Sequence, residues 1–181
     1  MVSYKELIDK VADKNTWGCS IAEYSYMVDL LLKKGFCNFL VFGLGRDTEL
    51  WNMVNSGGKT TFIENIDSWI NKFKSSEIDI RKINYTTKRI QWKELLKDEG
   101  RLLLILDEDI KNTNWDYIFI DSPMGGNDST PGRMQSIYTA STLKCSEFFI
   151  HDINRKVEKT YGDKYLGTEV KTIDRLTHYK K

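Results

Sequence analysis

The sequence predicts an α/β fold, a doubly wound and mostly parallel sheet with helices on both faces. Short apolar runs without polar alternation, Asn38 to Phe42 being the clearest, have the pattern of strands covered on both sides. Segments with helical spacing alternate with these runs, as successive βα units require. The first run ends on Gly43-Leu44-Gly45, a tight turn at the strand end where sheets of this class bind ligands.

Tyr4 to Val11 and Ile21 to Lys34 carry apolar residues at helical spacing, Met27, Leu30 and Leu31 among them, and Gly35 stands where a helix stop belongs. Helix is then expected over Thr48 to Val54, and a second strand over Thr60 to Glu64 after the turn Asn55-Ser56-Gly57-Gly58. A helix over Ser68 to Phe73 and a third strand over Ile80 to Tyr85 follow. Gln91 to Lys97 reads as helix, and Leu102 to Leu106 as either a strand or a buried helical turn. Strands over Trp115 to Asp121 and Glu147 to Ile150 flank a helix over Gln135 to Leu143. A charged helix over Arg155 to Tyr165 precedes two short segments, Glu169 to Ile173 and Arg175 to Tyr179, which can close the sheet as a hairpin.

At 181 residues with 40% hydrophobic content the chain supports one core and is read as a single domain over 1–181, with N-terminal helices over 1–36 and the binding sheet over 37–181. Its 27 basic and 26 acidic residues leave no electrostatic case for a nucleic acid or an anionic membrane as partner. No run approaches the ~18 to 20 apolar residues of a membrane span, and Met1 to Glu6 lacks the pattern of a leader, so a cytoplasmic protein is expected. Cys19, Cys37 and Cys145, odd in number and without CxxC spacing, are read as reduced buried thiols. The five tryptophans are read as core and rim residues in preference to sugar-stacking platforms, with Trp51 and Trp69 near the crevice.

The chemistry is expected at the strand ends. GLGRDT (43–48) lets the backbone approach a ligand but has Thr48 where the dinucleotide fingerprint has a third glycine. Glu64, about twenty residues on, stands where a carboxylate accepts ribose hydroxyls, or else caps the next helix. Asp121 and Asp152 end the fourth and fifth strands, so three acidic residues are aimed at one crevice, where a carboxylate can orient a hydroxyl, take its proton or hold a cation. His151 beside Asp152 suits a base or metal ligand, or a structural hydrogen bond. The loop DSPMGGNDSTPGR (121–133) holds both prolines; its Arg133 can fork onto a sugar carboxylate or remain a surface charge.

Five segments, CNFLVFGLGRDTELW (37–51), GGKTTFIEN (57–65), WDYIFIDSPMG (115–125), TPGRM (130–134) and FFIHDINRKVEKTY (148–161), together resemble the glucuronoxylan 4-O-methyltransferases and related polysaccharide-biosynthesis proteins of plants. The last segment is the most specific. The resemblance implies a Rossmann-like class I methyltransferase fold, S-adenosylmethionine as donor, and transfer to a hydroxyl of a uronic-acid-bearing glycan. Carried onto this chain, it implies donor contacts from Gly43, Gly45, Asp47, Glu64, Asn65 and Asp121, and chemistry at Asp121, Asp152 and His151. Acceptor contacts would come from Pro131, Gly132, Arg133 and Arg155. A divalent ion on Asp121, Asp152 and Asn154 is an option alongside Asp121 acting alone as base. Met124 stands where the family has a lysine, and Thr130 where it has an acid. The other readings are a non-catalytic scaffold of the same fold and a methyltransferase for a small phenol or RNA.

Overall fold

The computed structural model describes residues 3–14, 17–74 and 77–181. Residues 1 and 2, part of the opening stretch read as lacking a leader, lie outside these.

Helices α1 (Tyr4–Lys14) and α2 (Ile21–Lys34) precede strand β1 (Asn38–Phe42). A capping box starts α2: Ser20 Oγ accepts the Glu23 N–H, and the Glu23 carboxylate accepts the Ser20 N–H at 2.5 Å. Gly35, at φ 81°, ends the helix as expected and returns its N–H to Leu31 O. Then come α3 (Thr48–Val54), β2 (Lys59–Glu64), α4 (Asp67–Phe73), β3 (Asp79–Lys82), α5 (Trp92–Leu95), α6 (Glu108–Asn112), β4 (Tyr117–Ile120), α7 (Met134–Thr142), β5 (Glu147–Ile150), α8 (Lys156–Tyr165), β6 (Thr168–Ile173) and β7 (Leu176–Lys180). Sheet order is β3-β2-β1-β4-β5-β7-β6. The first five strands run parallel, and the hairpin β6–β7 closes the sheet antiparallel against β5.

The apolar strands bury both faces. Leu40, Phe42, Ile118, Ile120, Phe148 and Ile150 pack on one side against Met134 and Ile137 of α7 and Val157 and Tyr161 of α8. Phe39, Val41, Phe62, Phe119 and Phe149 pack on the other against α1, α2 and Trp51 of α3. Alternate residues of one strand thus serve opposite layers, which is why these runs show no polar alternation.

Two expected elements differ. The third strand stops at Lys82 rather than Tyr85: after Ile83 N donates to Glu64 O, the chain leaves the sheet and leans on α7, with Tyr85 Oη 2.9 Å from Ser136 Oγ and Thr86 N donating to Gln135. Leu102 to Leu106 is neither strand nor helix. Leu102, Leu104 and Leu106 point inward while Leu103 and Ile105 are exposed. Thr139 on α7 takes the place of a strand partner, accepting from Leu104 N and donating to Leu102 O. Cys19, Cys37 and Cys145 are free thiols, but Cys145 is only half-buried. Among the described residues no helix is long and apolar enough to cross a membrane.

Candidate active site

The carboxyl ends of the central strands meet at a cavity of about 510 Å³, a size suited to a small-molecule ligand. The sheet's hydrogen-bond ladder continues one residue past each strand: Gly43 N donates to Ile63 O at 2.8 Å, Asp121 N to Phe42 O at 3.0 Å, and His151 N to Ile120 O at 3.1 Å. Gly43, Asp121 and His151 therefore stand in a row where the strand order reverses around β1 and β4.

One half of the cavity is built from the β1 and β2 turns. Gly43 has φ 124°, and a Cβ there would lie 3.0 Å from Ser122 Cβ; a Cβ on Gly45 would lie 2.6 Å from Asp47 Oδ1. Glycine is thus required by conformation at the first position, and at the second a side chain would have to displace the Asp47 carboxylate. Glu64 lines the cavity and also holds the turns, accepting from Leu44 N at 2.8 Å, Asn65 N at 2.6 Å and Ile66 N at 2.8 Å. A carboxylate has roughly four acceptor positions. With three taken by the backbone, one remains for a ligand hydroxyl, fewer than the sequence suggested. Asn65 is not among the cavity-lining residues; Ile66 and Trp69 take that place and give it an apolar wall.

Asp47 lines the same half but is almost fully buried. Its Oδ2 accepts from Trp51 Nε1 at 2.9 Å and from Tyr24 Oη at 3.4 Å. Burial, then the charge of Asp121, push its carboxyl up to about 6 against the pull of those hydrogen bonds. An acid whose folded pKa is raised favours folding below its unfolded value and loses that contribution as pH rises through the folded one. In the free protein at pH 7 the ionised Asp47 therefore costs on the order of 3 kcal/mol, and a cationic ligand would offset that cost. Asp47→Asn is expected to raise the melting temperature at pH 7 more than at pH 4.5; equal shifts at both pH values would refute the electrostatic account.

The other half is an ion network. Asp121, with its side chain 28% exposed, lines the cavity, and its Oδ1 lies 2.9 Å from both His151 Nδ1 and Arg133 Nη2. Burial alone would raise its carboxyl, but His151 and then Arg133 outweigh burial and hold it below the usual carboxylate range. His151 is fully buried behind Asp121, with Nε2 3.6 Å from Glu23 Oε2, so a carboxylate faces each ring nitrogen. Of the roles open to it, base, metal ligand or structural hydrogen bond, His151 takes the last and positions Asp121. Asp152, at φ 62°, is also redirected: its carboxylate contacts Arg133 at 2.7 Å, Arg155 at 2.9 Å and Arg175 at 3.2 Å. Three guanidinium partners make it an anchor rather than a free base.

Arg133 is no surface charge. Only 4% exposed, it donates to Asp121, Asp152, Pro123 O and His151 O, which leaves no fork for a sugar carboxylate. Arg155 lines the cavity with a partly exposed side chain, and Arg46 lines it exposed. Among the described residues lining the cavity, these two are the cations open to a ligand. Pro131 and Gly132 do not line the cavity. They shape the loop behind it, Gly132 at φ 73° packing close to Arg89.

The proposed ligand set for a divalent ion is not assembled. Asn154 is exposed and outside the cavity-lining set. Asp121, His151 and Asp152 do approach within 4.8 Å of one another, but Arg133 Nη2 already bridges the two carboxylates a cation would need. The residues as arranged do not fit a metal at this position.

Sequence reading missed Glu23, Arg175 and Trp17. The Ser20/Glu23 spacing of a capping box was a usable signal for Glu23; nothing local announced that Arg175 reaches Asp152 and Gly18 O.

Comparison with known proteins agrees with this architecture. In structure the chain is similar to one from Staphylococcus aureus described as a caffeoyl-CoA O-methyltransferase, with a TM-score of 0.60 at 14% identity over 99% of this chain and 93% of that one. A Thermoplasma acidophilum protein gives 0.51 at 9% identity, over 99% and 98%. The fold is that of the class I methyltransferases. In sequence the chain is 32% identical over 207 residues to Glucuronoxylan 4-O-methyltransferase 2 of Arabidopsis thaliana, which spans 96% of this chain and 69% of that relative. It is 29% identical over 197 residues to Arabinogalactan O-methyltransferase 2 of the same plant, spanning 89% and 66%. To Protein IRREGULAR XYLEM 15 it is 37% identical over 174 residues, spanning 79% and 54%. Residues 22–102 and 100–179 match one family description, and on that match the chain belongs to the IRX15/IRX15L/GXM family.

Proposed function

We propose that this chain transfers the methyl group of S-adenosylmethionine to a sugar hydroxyl of a uronic-acid-bearing glycan. The observation that carries the reading is the convergence of Gly43, Glu64 and Asp121, from three adjacent strands, on one cavity. Its relatives named for glucuronoxylan and arabinogalactan are O-methyltransferases, and their acceptors support the choice of a glycan.

The donor would supply a sulfonium methyl already activated for displacement, so alignment is the main task; effective molarities of ~10⁵ M or more are available from alignment alone. Gly43 and Gly45 let the backbone close on the donor, Glu64 accepts from a ribose hydroxyl, Trp69 and Ile66 cover an apolar ring, and Asp47 faces positive charge. Asp121 would accept a hydrogen bond from the acceptor hydroxyl and take its proton as the carbon–oxygen bond forms and the methyl's carbon–sulfur bond breaks, with S-adenosylhomocysteine as the leaving group. Held low by His151 and Arg133, it is a weak base, and it works by aiming the oxygen lone pair at the methyl carbon. Arg155 and Arg46 are the available partners for an acceptor carboxylate.

The test is transfer of labelled methyl to uronic-acid oligosaccharides in excess EDTA, with calorimetry of S-adenosylhomocysteine binding to wild type and Glu64→Ala. Transfer that persists in EDTA, and binding weakened at least about tenfold in the variant, are expected; a wild type that binds no donor sinks the reading. A second reading, a protein that keeps the fold without transferring methyl, is favoured by the 37% identity to IRREGULAR XYLEM 15, whose name carries no activity. Donor binding with no transfer to any glycan would select it.

A further inference from the structure

The five tryptophans separate by exposure. Trp51 and Trp115 are core residues, Trp69 and Trp92 are half-buried, and Trp17 is 83% exposed. Other large apolar side chains are as open, Phe36 and Ile105 among them, but neither lines the cavity, whereas Trp17 does, together with the exposed Met124. A single exposed apolar residue is ordinary; an uncovered indole on the wall of a ligand cavity calls for an occupant.

The backbone beside this indole is pinned. Arg175 Nη2 donates to Gly18 O at 2.5 Å while its Nη1 reaches Asp152 Oδ1 at 3.2 Å. Ser20 Oγ donates to Asp174 Oδ2 at 2.6 Å, and Ser20 also caps α2. The segment carrying Trp17 is therefore tied, through Asp152, to the same network that holds Arg133 and Arg155 at the cavity. Asn127 and Thr130 line that cavity as well and offer hydrogen-bonding groups.

We propose that Trp17 forms a second acceptor subsite, stacking against the ring face of a pyranose unit next to the one that receives the methyl group. The inference rests on the glycan reading above. A pyranose presents a C–H face that packs on an indole and an equatorial rim of hydroxyls that seeks polar partners, and the cavity offers both beside the cation Arg155. An aromatic platform open on one side suits a polymer that continues into solvent, whereas a small phenol is better held by an enclosed slot.

The experiment compares wild type, Trp17→Ala and Trp17→Phe on a uronic-acid monosaccharide and on oligosaccharides of increasing length, with S-adenosylhomocysteine affinity measured on each protein. Trp17→Ala is expected to raise the oligosaccharide KM by about tenfold, the scale of one lost aromatic contact. Its kcat, its monosaccharide kinetics and its donor affinity should stay at wild-type values, and Trp17→Phe should recover most of the KM. An unchanged oligosaccharide KM, or equal losses on monosaccharide and oligosaccharide, overturns the subsite. Weakened S-adenosylhomocysteine binding overturns it in favour of Trp17 as a cover for the donor. If the wild type methylates no glycan, the glycan reading fails first and the subsite with it, which distinguishes that failure from a silent Trp17 variant in an active enzyme.

Discussion

Replacing Arg133 by methionine is expected to destabilise the protein by about 3–5 kcal/mol, the usual cost of stranding buried charges by removing one partner. Arg133 is held at the centre of the site by four acceptors, two of them the carboxylates of Asp121 and Asp152. Burial works against its charge, yet Asp121, Asp152 and Glu158 outweigh burial and raise its pKa further above the ordinary value. Without the guanidinium, Asp121 and Asp152 face each other with Glu158 close by, itself buried and without a hydrogen-bond partner for either oxygen. A chain of this size loses roughly 2–4 °C of melting temperature per kcal/mol, so a fall of about 10 °C should appear in thermal melts. A loss under about 1 kcal/mol, the range of an exposed ion pair, would mean that the network is solvated and that Arg133 is free for an acceptor after all.

Asp121→Asn is expected to lower methyl transfer by about 10²–10⁴-fold, the range for loss of a positioned acid–base group, with little change in S-adenosylhomocysteine affinity. Asparagine keeps the shape and can still accept from Arg133, so the fold should survive. It loses the second anionic oxygen that would face the acceptor hydroxyl. Because Asp121 is held low while Asp47 is pushed up to about 6 in the free protein, the acid limb of kcat/KM for the donor should follow Asp47 and fall as pH drops through that value, while the limb of kcat lies lower once the cationic donor is bound. An Asp121→Asn variant with wild-type kcat would remove the carboxylate from the mechanism and shift attention to Asp47.

The sheet was legible because its strands are buried on both faces, and burial on both faces leaves a local mark. Asn38 to Phe42, Tyr117 to Ile120 and Glu147 to Ile150 are apolar in sequence for the reason they are central in space. The same logic located Gly43, Gly45, Glu64 and Asp121, since in a parallel sheet the carboxyl end of each strand points to one side. Leu102 to Leu106 carried an equally apolar signal and misled it, because a threonine on α7 satisfies its backbone in place of a neighbouring strand.

The roles of the charged groups could not be read in this way. Arg133 and Asp152 are 19 residues apart, Arg175 and Asp152 are 23 apart, the backbone N–H of Arg175 meets Glu23 from 152 residues away, and which carboxylate each arginine meets depends on how the hairpin β6–β7 and helix α2 pack over the sheet ends. That packing turned Asp152 from a candidate catalyst into an anchor, moved His151 behind Asp121, and left Asn154 outside. The amino-acid sequence by itself determined the parallel sheet, the glycine turn and the carboxylates at the strand ends, because these follow from periodicities of a few residues. Only the tertiary structure decided which charges are neutralised and which remain open to a ligand, because a Coulombic partner is set by distance in space and by burial, and neither is written in local sequence.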